Sequence, residues 1–263
     1  MIHRAMKDPV SVLITGASGG IGAALASAYA RPGITLALTG RNLDRLRATV
    51  DAATAAGATV MHRALDVRDR AALTAWIGEV EATRPLDLVI ANAGITGGHH
   101  EDAEESVDEV RNLIEINFLA ACYTIGAALP AMRRRRRGQI AFVSSLAGVR
   151  GLSHMPGYCA SKAALIAYAE AMRGWLRDDG IEVAIVLPGN VDTPMLARES
   201  GPKPMILSAD RAAAIIRSGL ARGRPRIAFP SGLYWLLRAS TLLPAAPVDK
   251  VLNRFRVTVT AYD

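Results

Sequence analysis

Cysteine is nearly missing from this chain. Two residues in 263, Cys122 and Cys159, cannot build a disulfide framework or a cysteine-rich zinc site, so a reducing compartment is expected and each thiol reads as a small buried filler. Internal repeats and low-complexity linkers are absent as well, which excludes solenoids and tethered modules. The opening "MIHRAMKDPVSVLITG" runs from a short polar lead straight into a strand without the apolar core of a signal peptide, and a cytoplasmic location is the expectation. Histidines number five, and the adjacent His99 and His100 have no further ligands at metal-binding spacing, so no metal site is expected. The apolar segment from Leu233 to Leu243 contains an arginine and falls far short of the roughly 20 residues that span a bilayer.

Basic residues are plentiful. Lys and Arg exceed Asp and Glu by 31 to 24, for a formal charge of +7, and five consecutive arginines occupy Arg133 to Arg137. At the C-terminal end of a predicted helix such a run suits the dipole and reads as a solvated face. No aromatic-interleaved basic groove accompanies it, so nucleic acid is not an expected partner.

The chain is long enough, and at 51% hydrophobic residues apolar enough, to bury a full core. Short β-branched runs alternate with alanine-rich helical ones: "VSVLITG", "IGAALASAYA", "ITLALTG", and so on to "EVAIVLPG". Six buried strands, each followed by a helix or loop, plus a short seventh in "RPRIAFP", imply an α/β fold with a doubly wound parallel sheet and helices on both faces. Helices are expected near Ala71 to Ala82, over a long stretch from about Ser106 to Arg135, and from near Ser208. Residues 1–263 read as one catalytic domain, with a substrate-covering segment at about 194–222 and a C-terminal extension at about 230–263. Ligands of such sheets bind at the carboxyl ends of the strands.

Two motifs at those ends carry chemistry. In "TGASGGIG", Gly16, Gly20 and Gly22 let the turn after the first strand tighten and approach a pyrophosphate, which then rests on a helix N-terminus; tight βα turns also need glycine for steric reasons alone. In "PGYCASKAALIAYAEAMRGWL", Tyr158 and Lys162 stand four residues apart, one helical turn above the other on the same face. A free phenol has a pKa of about 10, too high for a base at neutral pH, and a neighbouring ammonium favours the phenolate.

The ordered set "TGASGGIG", "LDV" at Leu65 to Val67, "NAG" at Asn92 to Gly94, Asn117 in "EINFLA", the second serine of "VSSLAG", "YCASK" and "PGNVDTPM" at Pro188 to Met195 resembles the short-chain dehydrogenase/reductase family, and implies its Rossmann-like fold. The resemblance implies that Tyr158 is the acid/base, that Lys162 supports it and holds the nicotinamide ribose, that Ser145 positions the substrate oxygen, and that Asn117 supports a water-linked relay to Lys162. It implies cofactor contacts from Gly16, Ser18, Gly20, Ile21 and Gly22, from Asp66 to the adenine, from Asn92 and Gly94 near the adenosine ribose, and from Pro188, Gly189, Val191 and Thr193 at the nicotinamide. Without it, Asp66 is a helix cap, Asn117 a helix asparagine with a local bond, and "PG" a turn.

Coenzyme choice rests on "LALTGRN". An NAD-preferring relative carries an acid at the end of strand two; here that place holds Gly40, followed by Arg41, which suits the 2′-phosphate of NADP. NADP(H) is therefore the expected coenzyme, with NAD(H) as the alternative; Gly19 adds no second basic residue. The expected reaction interconverts a ketone and a secondary alcohol on an apolar small molecule. A cofactor-binding scaffold without turnover is the alternative, and the intact Ser145, Tyr158 and Lys162 argue against it. The family implies a homodimer or homotetramer, with Leu233 to Leu243 completing an interface or touching a membrane surface. His99 and His100 read as a loop at the cofactor mouth, while His154 either lines the substrate pocket or sits on a surface loop.

Overall fold

The protein is described here by a computed structural model that covers residues 8–100 and 103–260. The first seven residues, which make up most of the polar lead, and residues 261–263 of the C-terminal extension lie outside the described residues.

Seven strands form one parallel sheet: β1 (Ser11–Thr15), β2 (Thr35–Gly40), β3 (Thr59–Ala64), β4 (Leu88–Ala91), β5 (Gly138–Val143), β6 (Ile181–Pro188) and β7 (Arg226–Phe229). Their spatial order is β7-β6-β5-β4-β1-β2-β3. Direction reverses between β1 and β4, where a crevice opens at the strands' carboxyl ends. Period-two alternation feeds two apolar layers. Leu13, Val89, Ile140 and Phe142 face one side, where α3 (Arg70–Thr83), α5 (Ala120–Arg135) and α6 (Pro156–Leu176) contribute Trp76, Ile125 and Met172. Val12, Ile14, Ile90 and Ala141 face the other, where α1 (Gly20–Tyr29), α2 (Leu43–Ala55) and α7 (Ala209–Ala221) contribute Leu25, Leu46 and Ile216. The Phe142 ring meets Tyr168 edge-on at 5.8 Å, and Tyr168 meets Phe118, in the turn just before α5, at 5.7 Å, so this turn, α6 and β5 are locked by aromatic pairs of about 0.5–1.5 kcal/mol each.

Four expectations need correction. β3 is an edge strand and largely exposed rather than buried, because only β2 pairs with it. The long helix is three pieces: α4 (Val107–Ile114), capped by the Ser106–Glu109 box, then a π turn over Glu115–Leu119, then α5. The run Val107–Arg135 is long and apolar enough to cross a membrane, yet much of it, including Ile125, Leu129 and Met132, is buried in the core. The arginine run is anchored rather than simply solvated. Arg133 bonds Asp179 at 2.7 Å and stacks over Trp175, Arg135 pairs with Glu81 at 3.0 Å and reaches the Leu86 carbonyl, and Arg137 lies 3.5 Å from Asp87. Finally, within 194–222 only the part before α7 leaves the sheet layers. The helix itself buries Ala212, Ala213, Ile216 and Leu220, so it belongs to the framework.

The C-terminal extension forms α8 (Ser231–Ser240), α9 (Ala245–Leu252) and a returning strand, Thr258–Val259, antiparallel to Glu199–Ser200.

Candidate active site

The first turn of α6 starts at Pro156, whose missing N–H costs nothing at that position. Six residues in, Lys162 is 3% exposed. Its Nζ donates to the Val143 carbonyl at 3.2 Å, and lies 5.7 Å from the Tyr158 ring centre. Burial depresses the ammonium to about 8, so the charge is held with little to spare near neutrality.

Two contacts fix α6 against the end of β5. Ser144 Oγ donates to the Lys162 carbonyl at 2.7 Å. A Cβ on Gly148 would stand 2.7 Å from the Lys162 carbonyl carbon, so glycine permits this close approach. Ser145, the next residue, accepts at Oγ from the Ala147 N–H at 3.1 Å. Both Ser145 and Tyr158 are half-buried.

Asn117 is fully buried in the π turn. Its Oδ1 accepts from Ile95 N–H at 2.8 Å; its Nδ2 donates to the Ile95 carbonyl and to Ser161 Oγ, each at 3.0 Å. Both amide protons are spent, so the side chain clamps the loop after β4 to α6. The extra residue of the π turn aims it there. A Cβ on Gly94 would lie 3.0 Å from Asn117 Oδ1 and 3.2 Å from Lys162 Nζ. Gly94 therefore keeps space beside the Tyr158–Lys162 pair.

The glycine-rich turn is held from both sides. Thr15 Oγ1 accepts from Asn92 and Ala93 N–H at 3.1 Å, and Asn92 Nδ2 donates to the Thr15 carbonyl at 3.0 Å. Gly16 has φ +70 and Gly20 φ +55, and a Cβ on Gly22 would collide with the Gly16 carbonyl oxygen at 2.2 Å. Helix α1 has Gly19 at its N-cap and so no side-chain cap, whereas α2, α3, α4 and α7 are capped by Asn42, Asp69, Ser106 and Ser208. Unspent N–H groups at a helix start, under a loop that cannot carry side chains, fit a pyrophosphate. Ile21 packs on the core beneath the turn.

At the adenosine end, Gly40 abuts Ser18: a Cβ there would stand 2.8 Å from both Ser18 Cβ and Oγ. Arg41 is exposed beside them and contributes to lowering the Asp66 carboxyl, although the main cause is the Arg68 guanidinium, which holds Asp66 at 2.6 Å. Asp66 thus enters the site already paired. Past β6, Thr193 Oγ1 donates to the Val191 carbonyl at 3.1 Å and accepts from Leu196 N–H. Its methyl faces the glycine turn, 3.1 Å from where a Gly20 Cβ would lie. Gly189 N–H bonds the Phe229 carbonyl at 2.7 Å, tying the turn after Pro188 to β7.

Tyr158 has apolar neighbours on one side. Met155, Cys159, Val257 and Val259 form a buried cluster, with Tyr158 and Leu152 packed on it. Burial raises the Cys159 thiol to about 11, which leaves it a packing group; Cys122 is half-buried and its thiol is raised for the same reason. The returning strand is bound to the mouth loop: Val259 N–H donates to the His99 carbonyl at 3.0 Å, and His100 Nδ1 lies 2.7 Å from the Val259 carbonyl. His100 also contacts Glu109, which raises the imidazole's pKa. His154 is buried, not a surface histidine, and burial lowers its pKa. No cluster of three metal-binding side chains occurs among the described residues. The residues that sequence reasoning missed are the clamps Thr15, Ser144, Ser161 and Gly148 and the wall residues Val257 and Val259. The clamps sit inside or beside the quoted motifs; the wall residues gave no motif signal.

A sequence model of the short chain dehydrogenase family matches residues 10–203. An uncharacterized oxidoreductase of Myxococcus xanthus is 38% identical over 94% of this chain and 97% of its own length. Among solved structures, an actinorhodin polyketide ketoreductase with NADPH superposes with a TM-score of 0.77 at 25% identity, covering 88% of this chain and 99% of that one. A short chain dehydrogenase of Mycobacterium paratuberculosis bound to NAD gives 0.76 at 25% identity, covering 86% and 97%.

Proposed function

We propose a specific chemistry for this chain, which belongs to the short-chain dehydrogenase/reductase family and is an oxidoreductase acting on CH–OH groups with a nicotinamide cofactor: it interconverts a ketone and a secondary alcohol on an apolar substrate and prefers NADP(H). The observation that carries the reading is the convergence of buried Lys162, Tyr158, Gly94 and Asn117 beneath an apolar wall formed by Met155, Val257 and Val259.

When bound, the nicotinamide supplies or takes the hydride. Tyr158 gives its phenolic proton to the carbonyl oxygen during reduction and receives the alcohol proton in reverse. Ser145 donates to the same oxygen and orients it. Lys162, charged below about pH 8, stabilises the phenolate and bonds the nicotinamide ribose. Asn117 acts through position, holding Ile95 and Ser161 so that the space above Gly94 stays open. Gly16, Ser18, Gly20, Ile21 and Gly22 receive the pyrophosphate, Asp66 and Asn92 the adenosine half, and the turn from Pro188 and Gly189 to Val191 and Thr193 the carboxamide.

The NADP preference rests on Arg41, and on the packing of Gly40 against Ser18, which leaves no room for the acid that would repel a 2′-phosphate. We also read the protein as a cytoplasmic homo-oligomer. The outward face of α6 is small, with Ala160, Ala163, Ala167 and Ala171 exposed, which suits close helix approach in a dimer or tetramer. Steady-state kinetics over a panel of ketones and alcohols, following cofactor absorbance with NADPH and NADH in parallel, tests the reading. Turnover confined to charged polar substrates would remove the apolar assignment, and higher kcat/KM with NADH would remove the coenzyme assignment.

A further inference from the structure

Half of the large apolar side chains that the structure leaves exposed fall within residues 235–255: Trp235, Leu236, Leu242, Leu243, Val251 and Phe255. Helix α8 is amphipathic in the opposite sense to a core helix. Tyr234 and Leu237 seat it, with Tyr234 Oη accepting from Arg226 Nη1 at 2.6 Å, while Trp235, Leu236 and Ala239 point outward. The stripe continues one turn on into Leu242, 87% exposed, and Leu243, at the tip that links α8 to α9. The charges around it are of one sign. Residues 231–256 hold Arg238, Lys250, Arg254 and Arg256, all exposed, and a single acid, Asp249, which is tied to Arg150 at 2.8 Å. All of this lies outside residues 10–203, which carry the family match.

We propose that the α8–α9 hairpin docks this enzyme on an anionic lipid bilayer, with Trp235, Leu236, Leu242 and Leu243 entering the acyl boundary and the four basic residues meeting lipid phosphates. Tryptophan and leucine on one face with arginine and lysine at its margin is the composition that lies in a membrane interface. Anionic lipid adds about 1 kcal/mol per basic residue near the surface, or roughly fivefold each in affinity. Charge complementarity selects this occupant over a second copy of the chain. A two-fold contact through the patch would bring the uncompensated Arg238, Lys250, Arg254 and Arg256 of one protomer towards those of its partner, with only Asp249 to offset them. The proposal is independent of the catalytic reading, since none of these residues touches the site.

The full-length chain is co-sedimented with vesicles of phosphatidylcholine alone and of phosphatidylcholine mixed with phosphatidylglycerol. The expected result is binding to the mixed vesicles, at least about tenfold weaker binding to phosphatidylcholine alone, and loss of affinity as salt shortens the screening length. Leu242→Ser/Leu243→Ser should lower affinity roughly tenfold or more, because each leucine forfeits burial of its side chain. Lys250→Gln/Arg254→Gln should lower it about 25-fold on the mixed vesicles only. Turnover on a soluble ketone should be unchanged in both variants. Should the leucine variant fail to fold by circular dichroism, the charge variant and the salt series still decide. Absence of binding to the mixed vesicles, or equal binding by wild type and both variants, overturns the proposal. So does light scattering that shows a wild-type oligomer, without lipid, that the leucine variant cannot form, which would assign the patch to a second copy.

Discussion

The carboxyl ends of β1, β4 and β5 and the hairpin at 231–256 are built to opposite rules. At the strand ends nearly every polar group is committed: Thr15 to Asn92, Asn117 to Ile95 and Ser161, Ser144 to the Lys162 carbonyl. At the hairpin, apolar side chains face solvent while Tyr234, Leu237 and the partly buried Leu233 hold α8 down. The difference separates two uses of a surface. A reaction that moves a proton needs donors fixed in advance in a dry place, and the cost is a buried ammonium bonded to the Val143 carbonyl. The hairpin needs no such precision, and its side chains are free to be chosen for whatever meets them.

If the contrast is right, substitutions should split into those that strike turnover and those that leave the fold and the reaction alone. The largest effect belongs to Tyr158→Phe, which keeps the ring's packing but removes the transferable proton: turnover should fall about 10²–10⁴-fold while cofactor affinity is retained. Single-turnover and binding measurements together check it, and near-normal turnover would break the acid/base assignment.

Next is coenzyme choice. Arg41→Ala removes a charge-assisted contact worth about 1.5–3 kcal/mol and should cut the NADPH-over-NADH preference roughly ten- to a hundredfold. Adding Gly40→Asp forces a side chain onto Ser18, so this double variant should also lose stability, which a thermal melt would show.

Gly148→Ala sharpens the comparison at the strand ends. Its methyl would press on the backbone of Lys162 and Ala163, costing about 1–3 kcal/mol in urea titrations and lowering kcat with it. Lys162→Met should do the reverse for stability. The native site binds the proton less well than the unfolded chain, so the charged lysine is a burden that is relieved only as pH rises from about 8. The methionine variant should melt higher than wild type at pH 7 and lack turnover.

The smallest effects concern the mouth. His100, raised by Glu109, adds stability that is fully present below the ordinary imidazole pKa and lost as pH rises through the raised one; Glu109, lowered, adds stability lost only as pH falls through its lowered value. His100→Gln should flatten the alkaline side of the melting profile and loosen Val259. Leu242→Ser/Leu243→Ser should shift folding stability by no more than about 0.5 kcal/mol.

The sheet was legible because β1, β2, β4, β5 and β6 are short apolar runs between glycine or asparagine signals. The edge position of β3 was not, since its neighbours are set by topology rather than by its own residues. The Tyr158–Lys162 pair and the glycine turn could be read from spacing along one element each. The anchoring of Arg133 and Arg135 could not, because Asp179 and Glu81 lie far away in sequence. The same holds for the strand Thr258–Val259, whose partner is Glu199–Ser200. Helical periodicity also averages over the π turn and hides it.

That turn has a consequence at the level of the gene. A π turn is one residue more than an α-helix needs, so the aim of Asn117 depends on a single codon between Glu115 and Leu119. An in-frame loss of any one of the other four would let α4 and α5 fuse into a plain helix and rotate one against the other by about 100°. Leu113 and Asn117 would then compete for inward positions that only one of them could keep. This short stretch should therefore tolerate many base changes in its flanks but no deletion.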